Sequence, residues 1–519
     1  MRLLKAFATV GSFTMMSRVL GFVRDIMMAA VLGSGAVADA FFVAFRIPNL
    51  FRRVFGEGAF NSAFIPLFAR RLEGQGAEEA RKFAEQVASF LVFVLIILTA
   101  LAEIFMPWIM FAMAWGFSDT PEKFDLAVVM TRITFPYLIF VSLLALFSGI
   151  LNAFGKFAAA AFAPVLLNVV FILVLAVLVS NGFGASELSG LILASAVTAA
   201  GVLQLLVVMF ASRQIGMVLR IRPPRLTPGV RRLLALGIPG VIAGGITQIN
   251  IIIGTFIATL QDGAVSWLYY ADRLYQLPLG VVGIAIGVVL LPDLSRKFQE
   301  GNRAAAFESQ NRSLEFSLIL TLPAALALFI IPDQIISVLF ERGAFSAQDT
   351  QATSLALAAF ALGLPAFVLI KVFSPGFFAN EDTRTPMYFA GISMIVNVVM
   401  SFALFWWIGH VGIAVATSFA GWVNALLLWK TLTNRNFFVL DSRTKSFMVP
   451  LLASVSFMIF VLLALEWYLE PYFGSGQTIW IKGLALASMI CGGFLAFIVA
   501  AQVTKAFDFL ALTARLLRR

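Results

Sequence analysis

Runs of twenty or more mostly apolar residues recur from one end of this chain to the other, with no stretch between them long enough for a separate water-soluble domain. About 20 such residues, coiled at 1.5 Å per residue, match the hydrocarbon thickness of a bilayer. Only helices or closed barrels cross that layer, because a lone backbone N–H or C=O finds no water there. Long runs without two-residue alternation select helices. Composition points the same way: 61% of the 519 residues are hydrophobic and 12% charged, too few charges to coat a soluble chain of this size. The polar breaks place helices at 8–32, 36–68, 80–115, 126–153, 158–180, 187–212, 229–260, 265–298, 303–341, 348–378, 385–408, 410–433, 443–468 and 478–504. The expected class is therefore all-α, a polytopic membrane protein with fourteen transmembrane helices. The first run carries Arg18 and Arg24 and lacks a small-residue cleavage pattern, so it reads as a span and not as a signal peptide. One cysteine, Cys491, and one histidine, His410, exclude an internal disulfide and a Cys/His metal centre. His410 falls in a short outer turn and is expected at the surface.

Lysine and arginine concentrate in cytoplasmic loops, which orients the spans. With the N-terminus inside, 25 of the 37 basic residues fall in cytoplasmic segments, 3 (Lys123, Arg342 and Lys482) on the opposite side, and 9 within spans. Both termini are then cytoplasmic. The net charge of +10 is mostly this bias, so it does not argue for nucleic acid as a partner.

The chain also repeats itself. Arg46 in "AFRIPNLFRRVFGEGAFNSAFIPLFARR" matches Arg273 in "ADRLYQLPLGVVGIAIGVVLLPDLSRK", Pro66 matches Pro292, and Ser148 and Asn168 match Ser374 and Asn397. The offset stays between 226 and 229 residues, which spans six helices. An even number gives both halves the same orientation, related by an axis along the membrane normal, as in parallel-repeat transporters with a central cavity. The expected division is an N-lobe at 1–212 (helices 1–6), a C-lobe at 213–434 (helices 7–12), and helices 13 and 14 at 435–519 outside the repeat.

The nine cations within spans are Arg18, Arg24, Arg46, Arg52, Arg53, Arg132, Arg273, Arg312 and Lys371. Each costs about 2.5–3.5 kcal/mol at a helix centre facing lipid, so they are expected to face protein or water. On helix 1, Thr14, Ser17, Arg18, Gly21, Arg24 and Asp25 share one face, opposite Val, Leu, Phe, Ile and Met. On helix 2, Asp39, Arg46, Arg53 and Glu57 share a stripe with Asn49 and Arg52 on its flank, with Pro48 disturbing the phase. On helix 8, Arg273, Gln276, Gly280, Gly283 and Gly287 line up beside Pro278. One reading pairs these arginines with Asp25, Asp39, Glu57 and Asp272 as structural salt bridges, or lets them snorkel; it suits Arg46, Arg132 and Arg312, near span ends. For Arg18, Arg24, Arg52 and Arg273 cations outnumber nearby acids, so a ligand anion is the expected neutraliser, and the bidentate guanidinium suits phosphate or pyrophosphate. The glycines are either close-packing positions or a gate for alternating access, Gly21 on helix 1 with Gly280, Gly283 and Gly287 on helix 8.

The segments "SRVLGFVRDIMMAAVLGSGAVADAFFVAFRIPNLFRRVFGEGAFNSAFIPLF", "ADRLYQLPLGVVGIAIGVVLLPDLSR" and "KVFSPGFFANEDTRTPM" closely resemble the MurJ (MviN) family of lipid II flippases, within the multidrug/oligosaccharidyl-lipid/polysaccharide exporter superfamily. The likeness runs through all fourteen expected helices. It implies two six-helix lobes around a cationic cavity, with helices 13 and 14 forming a groove for a polyprenyl chain. It also implies a substrate-binding set: Arg18, Arg24, Arg52 and Arg273 on the pyrophosphate-sugar head group, with Ser17, Asp25, Asp39, Asn49, Glu57 and Asp272 in matching motifs. The substrate implied is lipid II, an undecaprenyl-pyrophosphate-linked disaccharide-pentapeptide, carried from the inner to the outer leaflet of the bacterial cytoplasmic membrane for peptidoglycan synthesis. Some relatives bind sodium between helices 7, 11 and 12 through carboxylates. Here the corresponding helices offer Asn250, Asn397 and Thr417 without an Asp, so no metal site is assigned; sodium and the membrane potential are the candidates for coupling, and no cofactor is expected. A drug or cation antiporter of the same superfamily would call for an acidic cavity, and a polysaccharide-lipid exporter would differ in cargo. A membrane enzyme acting on polyprenyl phosphates would need general acid–base groups or a metal on a sizeable outer loop. A pure scaffold would have no use for four buried arginines.

Overall fold

The computed structural model describes residues 2–56, 59–474 and 476–507, as backbone alone at 2–7, 51–56, 59, 62, 239–247, 284–285 and 287–289. Among the described residues every regular element is helical. The helices are α1 (Arg2–Leu32), α2 (Ala36–Gly56), α3 (Ala59–Ile104), α4 (Met106–Met113), α5 (Pro121–Thr134), α6 (Tyr137–Ala153), α7 (Ala158–Ser180), α8 (Glu187–Gln214) and α9 (Pro228–Ala258). They continue as α10 (Ala264–Gln299), α11 (Arg303–Ile330), α12 (Pro332–Phe340), α13 (Ala347–Ala361), α14 (Leu364–Phe378), α15 (Arg384–Ile408), α16 (His410–Asn434), α17 (Ser442–Leu469) and α18 (Ile479–Val503). Ten stretches of the described residues are long and apolar enough to cross a membrane. The other four runs expected from sequence coincide with α1, α2, α9 and α10, three of which, α1, α2 and α10, carry the polar stripes or the glycines.

Several expected helices are broken in two, and proline is the usual reason. Proline lacks the N–H that a helix interior needs and pushes the preceding residue out of the α region, yet fits the first turn. The runs expected at 80–115, 126–153, 303–341 and 348–378 accordingly break before Pro107, at Pro136, before Pro332 and before Pro365. The run expected at 36–68 ends at Gly56 instead, and α3 begins at Ala59. Within α3 the backbone turns at Gly76, whose φ of 86° and ψ of 172° suit glycine, so 59–75 and 77–104 are separate helical pieces.

The chain forms two compact units. Unit 1 comprises the described residues up to Ser266 together with Arg342–Phe345; unit 2 comprises those of 267–341 and from 346 onward. In unit 1, α1 packs along α7, α2 against α5, α6 and α8, and α3 against α6 and α9. The helix expected seventh thus belongs to unit 1 by packing, whereas the division at 212/213 follows the repeat. A stack of Phe60, Phe64 and Phe83, with Phe64 and Phe83 5.8 Å apart, anchors α3 to Leu146, Val208, Val230 and Leu233. The segment between α8 and α9 is strapped onto α3: Arg220 N donates to Glu85 Oε1 at 3.3 Å, Arg222 N to Ser89 Oγ at 2.9 Å, and Thr227 Oγ1 to Gln86 Oε1 at 2.8 Å. At the far end of α1, Ala344 N donates to Ala30 O at 2.9 Å. The two segments are so close there that a Cβ on Gly33 would lie 2.4 Å from Ala344 O, and one on Gly343 2.2 Å from Ala30 O.

In unit 2, α15 packs on α16, α14 on α16 and α11, and α17 on α18 and α11. His410, expected at the surface, is buried at the start of α16: Nε2 lies 2.8 Å from Ala352 O and the ring 4.8 Å from that of Trp267. An aromatic ring with one satisfied nitrogen is largely apolar surface, so burial follows once α16 begins at that residue.

Candidate functional site

The polar face of α1 packs on α7, and Asn168 of α7 is its centre. The Asn168 amide Nδ2 donates to Ser17 O at 2.8 Å and Ser17 Oγ at 3.2 Å, while Oδ1 accepts from Arg24 Nη1 at 3.0 Å. Arg24 also forks onto Asp25 Oδ1, at 3.0 Å from Nε and 2.7 Å from Nη2, with its guanidinium 5.6 Å from the Phe171 ring centre. Both members of that pair are buried. A Cβ on Gly21 would meet Asn168 at 3.5 Å, an ordinary van der Waals contact. Arg18, one turn away, is exposed and has no hydrogen-bond or ionic partner among the described residues. The face therefore offers one neutralised arginine and one available arginine. Asn168 was visible in the sequence only as the repeat mate of Asn397.

Asp39 of α2 is completely enclosed. Its carboxylate accepts from Lys123 Nζ at 2.8 Å, Gly263 N at 2.9 Å, Ser266 N at 3.1 Å and Ser266 Oγ at 2.6 Å. Lys123 bridges on to the exposed Asp262 at 2.8 Å. The set ties α2 and α5 to the turn between α9 and α10, and Asp39 thereby serves the architecture of unit 1. Lys123, expected in an outer loop, is instead a buried residue of α5, because Pro121 starts that helix earlier than the apolar run does. Lys482, counted on the outer side within the expected helix 478–504, is buried in the first turn of α18, 3.4 Å from Glu341.

Arg46 is half-buried and donates to Thr255 of α9. Asn49 is half-buried on α2. The side chains of Arg52 and Arg53 and the surroundings of Gly287 lie outside the described residues, as does Glu57. On α10, Arg273 Nη2 donates to Tyr269 OH at 2.8 Å, with the guanidinium 4.7 Å from that ring's centre, and Asp272 accepts from Gln276. Gly280 is half-buried. A Cβ on Gly283 would lie 2.7 Å from Lys371 Cδ, so this glycine makes room for a lysine stem within unit 2. Of the glycines named for a gate, Gly283 thus has a close neighbour and Gly21 an ordinary contact. Arg312 binds Glu315 and, at 2.6 Å, Asp441, the structural ion pair expected near a span end.

Of the three weak sodium candidates, Asn397 and Thr417 meet on α15 and α16, Thr417 Oγ1 lying 3.4 Å from Asn397 Oδ1. Asn250 is on α9 of unit 1. Among the described residues no three His, Cys, Asp or Glu side chains converge as a metal site.

The sequence model of the family described as "Lipid II flippase MurJ" matches residues 28–510. The chain is 47% identical over 510 residues to the probable lipid II flippase MurJ of Rhizobium tropici, across 98% of this chain and 95% of that one. It is 49% identical over 503 residues to its counterpart in Rhizobium meliloti, across 96% and 94%. A solved structure of lipid II flippase MurJ in an inward closed conformation superposes with a TM-score of 0.78 at 25% identity, covering 95% of this chain and 98% of that one. An inward-facing multidrug resistance transporter of the MATE family, in the MOP superfamily, superposes with a TM-score of 0.65 at 16% identity, covering 83% and 98%, a likeness of fold alone.

Proposed function

From the premise that this chain belongs to the lipid II flippase MurJ family, we propose that it flips lipid II from the inner to the outer leaflet of the bacterial inner membrane by alternating access. The family is one of transporters, and the chain is not assigned a catalytic role. A disaccharide-peptide on a pyrophosphate is too polar to enter hydrocarbon, and its polyprenyl chain is too apolar to enter a wet cavity. The protein must house the two separately. Helices α1, α2, α9 and α10 complete a set of fourteen spans in this reading, with both termini cytoplasmic, the two six-helix repeats as lobes, and the α17–α18 hairpin beside the lipid tail.

The observation that carries the reading is Arg18, exposed and unpaired on a face whose neighbouring charges, Arg24 and Asp25, neutralise each other. An available guanidinium favours an anionic cargo and disfavours the cation antiporter of the same fold. Arg18, Arg52 and Arg273 are the arginines assigned to the pyrophosphate, with Arg24, already paired with Asp25, ordering the polar face beside Arg18. Coupling runs through the membrane potential: with the inside negative, each negative charge carried outward releases about 2.3 kcal/mol per 100 mV. Asn397 and Thr417 bring no charge to a cation, so sodium is the weaker candidate.

The test is a leaflet-accessibility assay for lipid II in cells depleted of this chain. Wild type restores outer-leaflet lipid II, and Arg18→Ala does not while still reaching the membrane folded. Restoration by Arg18→Ala to the wild-type level would overturn the anion-ligand reading.

A further inference from the structure

The ends of α3 and α9 that meet in unit 1 carry arginines that the flippase reading does not use. Residues 68–90 and 211–236 hold ten Lys and Arg against four Asp and Glu. Three of those acids are already engaged, Glu78 and Glu79 by Lys82 at 3.6 and 2.8 Å and Glu85 by Arg222 at 3.2 Å. Among the described residues Arg70, Arg71, Arg231 and Arg232 have no carboxylate within 4.0 Å. Arg71 cannot swing away: Nη1 donates to Leu67 O at 2.9 Å, and the guanidinium lies 3.9 Å from the Phe83 ring centre. A Cβ on Gly229 would be 3.1 Å from Arg71 Nη2, so the cation sits against the first turn of α9, the turn that precedes Arg232.

Beside it is a cavity of about 390 Å³ lined by Ala63, Pro66, Leu67 and Leu236, with Arg70 and Arg232 at its polar side. Arg70 and Arg232 are exposed and line the same cavity, so their like charges repel, and an anion between them removes that repulsion. A small hydrated anion satisfies only half of such a lining; the apolar half calls for a hydrocarbon chain. The neighbouring strap repeats the pattern, alternating Arg220, Arg222 and Arg225 with Ile221 and Leu226, which are 59% and 54% exposed. Basic groups interleaved with exposed apolar ones suit a bilayer interface.

We propose that this cavity binds the phosphate of an anionic phospholipid from the adjoining leaflet, with Arg70 and Arg232 on the phosphate oxygens, Arg71 behind them, and an acyl chain along Leu67 and Leu236. The proposal goes beyond the flippase reading and needs only that the chain spans a membrane.

The test uses the purified full chain, delipidated and titrated in native mass spectrometry with phosphatidylglycerol, with phosphatidylcholine, with inorganic phosphate and, separately, with lipid II. Wild type is expected to prefer phosphatidylglycerol over phosphatidylcholine. The double variant Arg70→Gln, Arg232→Gln is expected to lose about thirtyfold in phosphatidylglycerol affinity, two interfacial charges' worth, with lipid II binding unchanged. Should that variant not fold, Arg70→Lys with Arg232→Lys keeps the charge and loses the fork, and an intermediate loss is expected. Equal phosphatidylglycerol binding by wild type and variant would overturn the proposal. So would loss of lipid II binding in place of phospholipid binding, which would make this a substrate site, or saturation of the site by inorganic phosphate alone. Wild type that binds phosphatidylglycerol but no lipid II would count against the flippase reading and leave this one standing.

Discussion

At the scale of single residues, burial separates the charges that hold the fold from the one proposed to meet the cargo. Arg18 is exposed, so Arg18→Ala should abolish flipping with little change in thermal stability, measured as Tm beside the leaflet assay. Asp39 and Lys123 are the opposite case. Removing one member of a buried pair strands the other, so Lys123→Met should cost about 3–5 kcal/mol and lower Tm. Adding Asp39→Asn should restore part of that loss, because no uncompensated charge remains, and a double variant no more stable than the single would refute the pairing. The sequence displayed Arg24 beside Asp25 and placed both on a polar face. Lys123 was hidden because its partners are 84 and 139 residues away, and charge bias alone assigns a lysine between two apolar runs to a loop.

At the scale of elements, the apolar runs located the helices well, while prolines and glycines decided where they end. Hydropathy sums over residues and is blind to a missing N–H, so the breaks at Pro136, Pro332 and Pro365 do not register in it. The approach of Gly33 and Gly343 is invisible for a different reason, since the two lie in different elements. Gly343 has a φ of 59°, and a Cβ there would strike Ala30 O. Gly343→Ala should therefore lower Tm, with left-handed strain alone costing about 1–2 kcal/mol. Gly11→Ala serves as the control: that glycine is inside α1 with open space around it, and the change should be neutral or stabilising by up to about 1 kcal/mol. A Tm for Gly343→Ala equal to that of Gly11→Ala would show that the close approach of 343–344 to the end of α1 does not constrain the fold.

At the scale of the whole molecule, the proposed cycle moves an anionic head group outward through an inside-negative field, and flipping by that route is electrogenic. In proteoliposomes an imposed inside-negative potential should speed the outward movement of lipid II, and collapsing it with an ionophore should slow it without added sodium mattering. A rate that follows the sodium gradient and ignores the potential would transfer the coupling to an ion site. The repeat carries a second expectation at this scale, a pseudo-two-fold axis along the membrane normal relating helices 1–6 to 7–12, which an experimental structure with inverted halves would contradict.

Sequence alone determined that this chain is helical, polytopic and internally repeated, and that it carries more cations within its spans than acids to match them. Those properties are read along the chain, residue by residue or at a constant offset, so no folding is needed to see them. Tertiary structure alone decided which of the charges are spent. Arg24 is neutralised by Asp25 and hydrogen-bonded to Asn168, Asp39 is neutralised by Lys123 and hydrogen-bonded by the 263–266 turn, and Arg312 is neutralised by Glu315 and Asp441, while Arg18 and the arginines around the α3–α9 cavity keep their charge. A charge is available or spent according to what lies within about 4 Å of it in space, and packing brings to that distance residues that the chain itself keeps far apart.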